Sequence, residues 1–212
     1  MSAAPRPAND ADIPQLKALW KLVFGDTDQL IDSFFSHLYP DCRTAVIEEG
    51  GTIVSTAYAV ALENCRYIYA VATHPDRRGQ GYGEVVTMAA ADGEPVYLYP
   101  ASEGLRGWYQ RRMGAQSICM APGRQATPTR EISAETYHRA RETLLRGIPH
   151  AIYTPAFLRF FGSFGRFYET ANGICAMDND GNIKEALPGM VTAPFHMGLN
   201  GAPAMYFGLV LD

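Results

Sequence analysis

Apolar residues recur at helical spacing twice near the start of the chain. Ile13, Leu16, Trp20 and Val23 share one face of a predicted helix, with Asp12 as its N-cap, Gln15 as capping-box partner and Gly25 as its stop. Leu30, Ile31, Phe34, Phe35 and Leu38 stripe a second helix that starts after Asp26 or Thr27 and closes at Pro40. The pattern then changes to strands. Residues 44–48 and 52–62 flank Glu49-Gly50-Gly51, a hairpin signal, and Tyr67–Thr73 reads as the next strand. Within it Tyr67, Tyr69 and Val71 alternate, which predicts one shared sheet face. A glycine loop follows, and Val85, Val86, Met88 and Ala89 then stripe a helix that ends at Gly93, just before Pro95. A short strand over 96–100, a helix over 104–112 and a strand over 115–120 complete the first part.

Beyond Pro122 the composition shifts. Residues 122–129, with Pro122, Gly123 and Pro128, are rich in breakers, and 122–132 reads as a linker. Ser133 caps a predicted helix running to Arg146. Phe157, Phe160, Phe161, Phe164 and Phe167 have helical spacing, weakened by Gly162 and Gly165, and read as an aromatic core stripe. Asp178-Asn179-Asp180-Gly181 is a hairpin turn between 174–177 and 182–186, and Met205–Leu211 reads as a buried strand. These elements predict an α/β (α+β) protein. Residues 1–121 would form the main domain, 122–132 a linker and 133–212 a smaller α+β part.

With 212 residues, 47% of them hydrophobic, the chain is long enough for a sizeable core. Its net charge of −4 argues against a nucleic-acid partner, which would call for a basic face, and mildly favours a cationic acceptor. No apolar run has the length of a membrane span, and Met1–Arg6 lacks the apolar core of a signal peptide. Cys42, Cys65, Cys119 and Cys175 are far apart, as free thiols of a cytoplasmic protein would be. The five histidines are scattered and give no metal-site spacing.

The chemistry sits in the loop between strand and helix, Arg77-Arg78-Gly79-Gln80-Gly81-Tyr82-Gly83. N–H groups at a helix start lack internal partners, the helix dipole favours negative charge there, and glycines let a phosphate approach the main chain. The loop therefore reads as a pyrophosphate cradle. Glu84 and Val85 follow Gly83 where a P-loop needs Lys and then Ser or Thr. Gly79-x-Gly81-x-Gly83 also misses the Gly-x-Gly-x-x-Gly spacing of a dinucleotide site. What remains is Arg78-x-x-Gly81-x-Gly83, preceded by Val71-x-Thr73-x-Pro75. This resembles the coenzyme A signature of the GCN5-related N-acetyltransferases (GNAT), in which Gln or Arg is followed by two residues, Gly, one residue, and Gly or Ala. The resemblance covers about residues 4–120.

That resemblance implies a GNAT fold, a mixed central sheet flanked by helices, and acetyl-CoA as cosubstrate. It puts Val71, Ala72 and Thr73 along the pantetheine arm. It puts Arg78, Gly79, Gln80, Gly81, Tyr82 and Gly83 at the pyrophosphate. The stretch Trp108-Tyr109-Gln110-Arg111-Arg112-Met113-Gly114-Ala115 resembles the family's Phe-Tyr-x-x-x-Gly-Phe, with one extra residue before the glycine, and implies Tyr109 as general acid. A phenol, with its pKa near ~10, is protonated at neutral pH and can serve a leaving thiolate. The base stays open, with Glu63 and Glu103 in view, and His74 is expected to shape the loop entry. The second part is similar to the non-catalytic half of the enhanced-intracellular-survival type, on the strength of Tyr206–Asp212 and the hairpin strand Ile183-Lys184-Glu185-Ala186-Leu187. In that type the C-terminal carboxylate reaches the catalytic tyrosine, which implies the same for Asp212. The expected partner is a small-molecule or peptide amine, with no membrane and with the oligomeric state open, a dimer included. An acyl-CoA sensor without turnover and a plain interaction module stand as alternatives.

Overall fold

The computed structural model describes residues 4–209 and residue 211; Asp212, with the carboxylate assigned to it, lies outside the described residues. In chain order the first part comprises β1 (Arg6–Pro7), α1 (Ile13–Phe24), α2 (Asp28–His37), β2 (Arg43–Glu49), β3 (Thr52–Ala61), β4 (Arg66–Thr73), α3 (Tyr82–Ala91), β5 (Val96–Leu98), α4 (Glu103–Met113) and β6 (Gln116–Ser117). The second part contributes β7 (Ala121–Gly123), β8 (Pro128–Ile132), α5 (Ala134–Leu144), α6 (Pro155–Gly162), β9 (Gly165–Thr170), β10 (Gly173–Asp178), β11 (Ile183–Val191) and β12 (Met197–Leu199).

Two sheets result. The first has the order β1-β2-β3-β4-β5-β12-β6 and the second β7-β11-β10-β9-β8. This is the mixed α/β architecture expected, with a second sheet of five strands beside the sheet of seven. Two features depart from the sequence reading. The stretch expected to link two domains, 122–132, carries most of β7 and all of β8, both strands of the second sheet. From the far end of the chain, β12 returns to the first sheet and separates β5 from β6, pairing antiparallel with both. Its burial is complete or nearly so along its length, which rewards the return.

Helix boundaries follow local chemistry. Asp12 makes no side-chain cap for α1. Asn9 caps a short turn instead, and the Asp12 carboxylate takes Arg6 at 2.7 and 2.9 Å and the Asn9 N–H at 2.9 Å. A charge-assisted, bidentate Arg pair outcompetes an N-cap bond. Gln15 likewise turns away and accepts the Ile53 N–H at 2.9 Å. Gly25 ends α1 in the left-handed region at φ 75°, and Thr27 caps α2 through the Leu30 N–H. The phenylalanine stripe is split: α6 ends at Gly162, and Phe167 lies in β9. The strand expected over 115–120 shrinks to β6. Residues 205–209 form no strand; Tyr206 alone bridges to His150.

Helices α1 and α2 cover one face of the first sheet, and α3 covers the other, against β2, β3 and β4. On the α1 face one apolar core runs without a break into the second part. Trp20 packs on Phe34 with ring centroids 4.6 Å apart, Phe34 on Phe160 at 5.7 Å, and Phe207 on Tyr67 at 4.9 Å. Such aromatic pairs add about 0.5–1.5 kcal/mol each beyond area burial.

The feature that shapes the site is an irregularity in β4. Tyr58 pairs with Tyr69 and Thr56 with Ala72, so Ala57 alone faces both Ala70 and Val71. Ala70 takes φ 48°, unusual for a residue with a Cβ. This is a β-bulge, and the extra residue reverses the alternation. Tyr67 and Tyr69 face the α1 side, whereas Val71 packs on the α3 side with Ile68. The three residues expected on one face therefore divide between two.

Candidate active site

Strands β4 and β5 are the only parallel neighbours among the described strands, and they pair only from Arg66↔Val96 to Ile68↔Leu98. Past Leu98 come Tyr99 and Pro100, and proline has no N–H to continue a ladder. Past Ile68 comes the bulge. The strands therefore part, and a cavity of about 440 Å³ opens between them. Its walls include Trp20, Asp26, Tyr69, Val71, Tyr99 and Tyr109. A second cavity of about 770 Å³ lies along the glycine loop, between α3 and α4, and reaches Thr73, Arg78, Gly79, Gly81, Gly83 and Trp108. The two cavities share Phe24, Val71, Leu105 and Tyr109.

The loop has the geometry an anion needs. Gly79 and Gly81 take φ 79° and 82°, a region strained for any residue with a Cβ, and Gly81 is the N-cap of α3. Among the described residues no acceptor meets the N–H groups of residues 79–84; the first intrahelical bond here is Val85 N–H to the Gly81 carbonyl at 3.2 Å. Gly83 has ordinary backbone angles. A Cβ there would sit 3.7 Å from Trp108, 3.8 Å from Thr73 and 3.9 Å from Val71, so it would point at the cavity wall without a clash.

Charge at the loop is unevenly available. Glu49, the last residue of β2, takes the Arg77 Nε–H at 2.7 Å and also accepts the Tyr82 hydroxyl in a very short hydrogen bond. The Tyr82 hydroxyl and then Arg77 hold the Glu49 carboxyl below the usual carboxylate range. Arg77 is thus partly neutralised, and Arg112 is paired with Glu84 at 2.9 Å. Arg78 has no carboxylate partner among the described residues and only a 3.4 Å bond to the Thr73 carbonyl. Of the expected cofactor residues, Tyr82 offers its N–H while its ring is buried. Ala72 and Gln80 line neither cavity; Ala72 is buried on the α1 side. His74 accepts the Asp76 N–H at 3.3 Å and so shapes the loop entry.

Tyr109 lies on the inner face of α4, only 8% exposed, where the two cavities meet. Burial pushes its phenol up to about 12, so it keeps its proton across neutral pH. Its hydroxyl has no hydrogen-bond partner among the described residues. Neither carboxylate considered for the base lines a cavity: Glu63 is exposed, and the Glu103 side chain is 88% exposed and pairs with Arg106. Asp26, which sequence reasoning passed over, is the carboxylate in the cleft, with its Oδ2 held by the Trp20 indole N–H at 2.7 Å. Phe24 and Leu105 were also passed over. Both are large apolar side chains more than 40% exposed at the cavity junction, a pattern no linear periodicity reveals.

Residues 4–114 match the family model of an acetyltransferase (GNAT) domain. No curated protein matches the chain. Among solved structures, a protein from Pyrococcus horikoshii aligns over 100% of this chain and 95% of its own length, with 12% identity and a TM-score of 0.61. A GCN5-related N-acetyltransferase from Anabaena variabilis aligns over 89% of this chain and 58% of its own, with 14% identity and a TM-score of 0.59. A conserved protein of unknown function from Enterococcus faecalis aligns over 87% of this chain, with 12% identity and a TM-score of 0.59, and this chain spans 54% of its length. At such identities the likeness is one of fold.

Proposed function

Since the chain belongs to the GNAT acetyltransferase family, we propose that it moves an acetyl group from acetyl-CoA to an amine by direct attack in a ternary complex. The observation that carries this reading is the meeting of two cavities at Tyr109 and Val71. One is lined by an anion-binding loop, the other by the split between β4 and β5. Among the described residues the N–H groups of 79–84 meet no acceptor and Arg78 meets no carboxylate, which fits a pyrophosphate. Val71 and Thr73 line the route from that loop to the split, as the pantetheine arm requires.

Acetyl-CoA supplies an activated thioester. The Val71 N–H, at the bulge, would polarise the thioester carbonyl where negative charge develops. The Tyr109 hydroxyl would serve the leaving sulfur. With the phenol at about 12 and a free thiol near ~8.5, outright proton transfer to sulfur is uphill by roughly 5 kcal/mol. Tyr109 therefore acts first as a hydrogen-bond donor, and the proton lost by the attacking amine balances the thiol released.

The test is a thermal-shift titration with acetyl-CoA on wild type and Gly81→Glu, coupled to thiol release with an amine panel. At 100 times Kd a ligand of the native state adds about 2.7 kcal/mol, or roughly 5–11 °C in a chain of this size. A rise in wild type that the variant loses, with thiol release dependent on amine, is the expected result. A rise without release would favour the sensor, and no rise would end the acetyl-CoA reading.

A further inference from the structure

The cleft between β4 and β5 has an unusual charge balance. Among the described residues its one carboxylate is Asp26, and no lysine, arginine or histidine lines it. Its remaining walls mix aromatic side chains, among them Trp20, Tyr67, Tyr69 and Tyr99, with aliphatic ones such as Leu30 and Leu105. Asp26 is also unlike the carboxylates around it. Asp12, Asp28 and Asp32 are each paired, with Arg6, Lys21 and Lys17 at 2.6–2.7 Å. Asp26 has no cationic partner among the described residues. Its Oδ2 is fixed by the Trp20 indole, which holds the side chain in one position, while Oδ1 has no hydrogen-bond partner among the described residues. A half-buried carboxylate held in place beside aromatic faces is a cation site.

Resting on the acetyl-transfer reading above, we infer that the acceptor is a cationic amine with an aromatic or apolar body and no carboxylate of its own. Asp26 is its specificity-determining residue and receives it as the ammonium. The amine most often enters protonated, so a site that first binds the ammonium raises its local concentration. It then gives one proton to solvent, and the neutral amine attacks the carbonyl beside Val71 while the second proton lost from nitrogen balances the thiol released. The rings on the cleft walls take the apolar body and add cation–π attraction. An amino acid would bring a second negative charge towards Asp26. A polyamine would bury further ammonium groups with no second carboxylate to meet them.

The experiment uses the full chain and three amines, phenethylamine, phenylalanine and spermidine, as acceptors in the thiol-release assay. Acetyl-CoA thermal shifts are measured in parallel on wild type and Asp26→Asn. The asparagine amide oxygen still accepts from Trp20, so the variant removes charge while keeping the fold. The expected result is turnover with phenethylamine well above the other two, and a KM for phenethylamine raised about 10–100-fold in Asp26→Asn, the loss of one hydrogen bond between charged groups. The acetyl-CoA shift should be the same in both proteins. Phenethylamine inactive while another amine turns over, a preference for phenylalanine or spermidine, or a KM change under threefold would overturn the inference and leave the transfer reading standing. Absence of any acetyl-CoA shift would overturn both.

Discussion

Two glycines two residues apart in the loop are predicted to respond to the same substitution with opposite sign. Gly81 sits at φ 82° and ψ 1°, with nothing within 4 Å of where a Cβ would go. The cost of Gly81→Ala is therefore purely conformational, about 1–2 kcal/mol for a side chain held in the left-handed region. Gly83 lies in the first turn of α3 with ordinary angles, and its added Cβ meets Trp108, Thr73 and Val71 at van der Waals distances of 3.7–3.9 Å. Gly83→Ala removes backbone freedom from the unfolded chain and favours the helix by roughly 0.5–1 kcal/mol. In a chain of this size 1 kcal/mol moves Tm by about 2–4 °C. Gly81→Ala should then melt about 2–8 °C lower than wild type and Gly83→Ala about 1–4 °C higher. Differential scanning calorimetry on the ligand-free proteins reads both, and an acetyl-CoA titration should show Gly83→Ala still stabilised, since the resembled motif takes Ala there. If Gly83→Ala melted as low as Gly81→Ala, the loop would not have the backbone described and the cradle argument would fail with it.

Three further outcomes are expected. Tyr109→Phe removes a hydroxyl with no partner among the described residues, so Tm should stay within about 2 °C. Its kcat should fall by about 10²-fold or more with unchanged acetyl-CoA affinity, and full activity would remove Tyr109 from the mechanism. His196 is fully buried among Tyr97, Phe195 and Phe207, both ring nitrogens lack a partner among the described residues, and burial lowers its pKa to about 4. Above about pH 6.5 the folded and unfolded forms are both neutral and the group adds no pH dependence; below it only the unfolded chain takes the proton. Stability should thus fall by up to about 3 kcal/mol between pH 6.5 and 4, and His196→Leu should flatten that part of a urea-denaturation profile. Arg141 is fully buried, bonded to Glu185 at 3.2 Å and stacked 3.9 Å from the Tyr153 ring centroid. Arg141→Met leaves Glu185 as an unpaired buried charge and should cost about 3–5 kcal/mol in chemical denaturation, much of it regained in the double variant with Glu185→Leu.

The same buried pair explains why the end of the chain was misread. The periodicity of residues 205–209 fits a strand, yet they are held by side chains: the Leu209 N–H donates to Tyr153 Oη at 2.7 Å, and a Cβ at Gly208 would collide with the Glu185 carboxylate. Such contacts join residues distant in sequence, and no local pattern encodes them. For the same reason the linker composition of 122–132 gave no sign of strands, because β8 pairs with β9 and β7 with β11 across long sequence separations.

What the sequence determined by itself is local. Apolar stripes mark α1, α2 and α3, Gly25 and Thr27 fix helix ends, and glycines at 79 and 81 allow the left-handed turn that leads into α3. Each rests on backbone sterics or a period within a few residues, and together they carried the family resemblance. What only the tertiary structure decided is where those pieces meet. The bulge at Ala70 turned Val71 to the opposite face from Tyr69, since register is set by pairing with β3 and not by alternation alone. The parting of β4 from β5 brought Asp26 from the end of α1 into one cleft with Tyr109 from α4, and β12 closed the sheet beyond β5. A carboxylate after a helix-ending glycine carries no mark of what it will face; that depends on strands and helices packed from the whole chain.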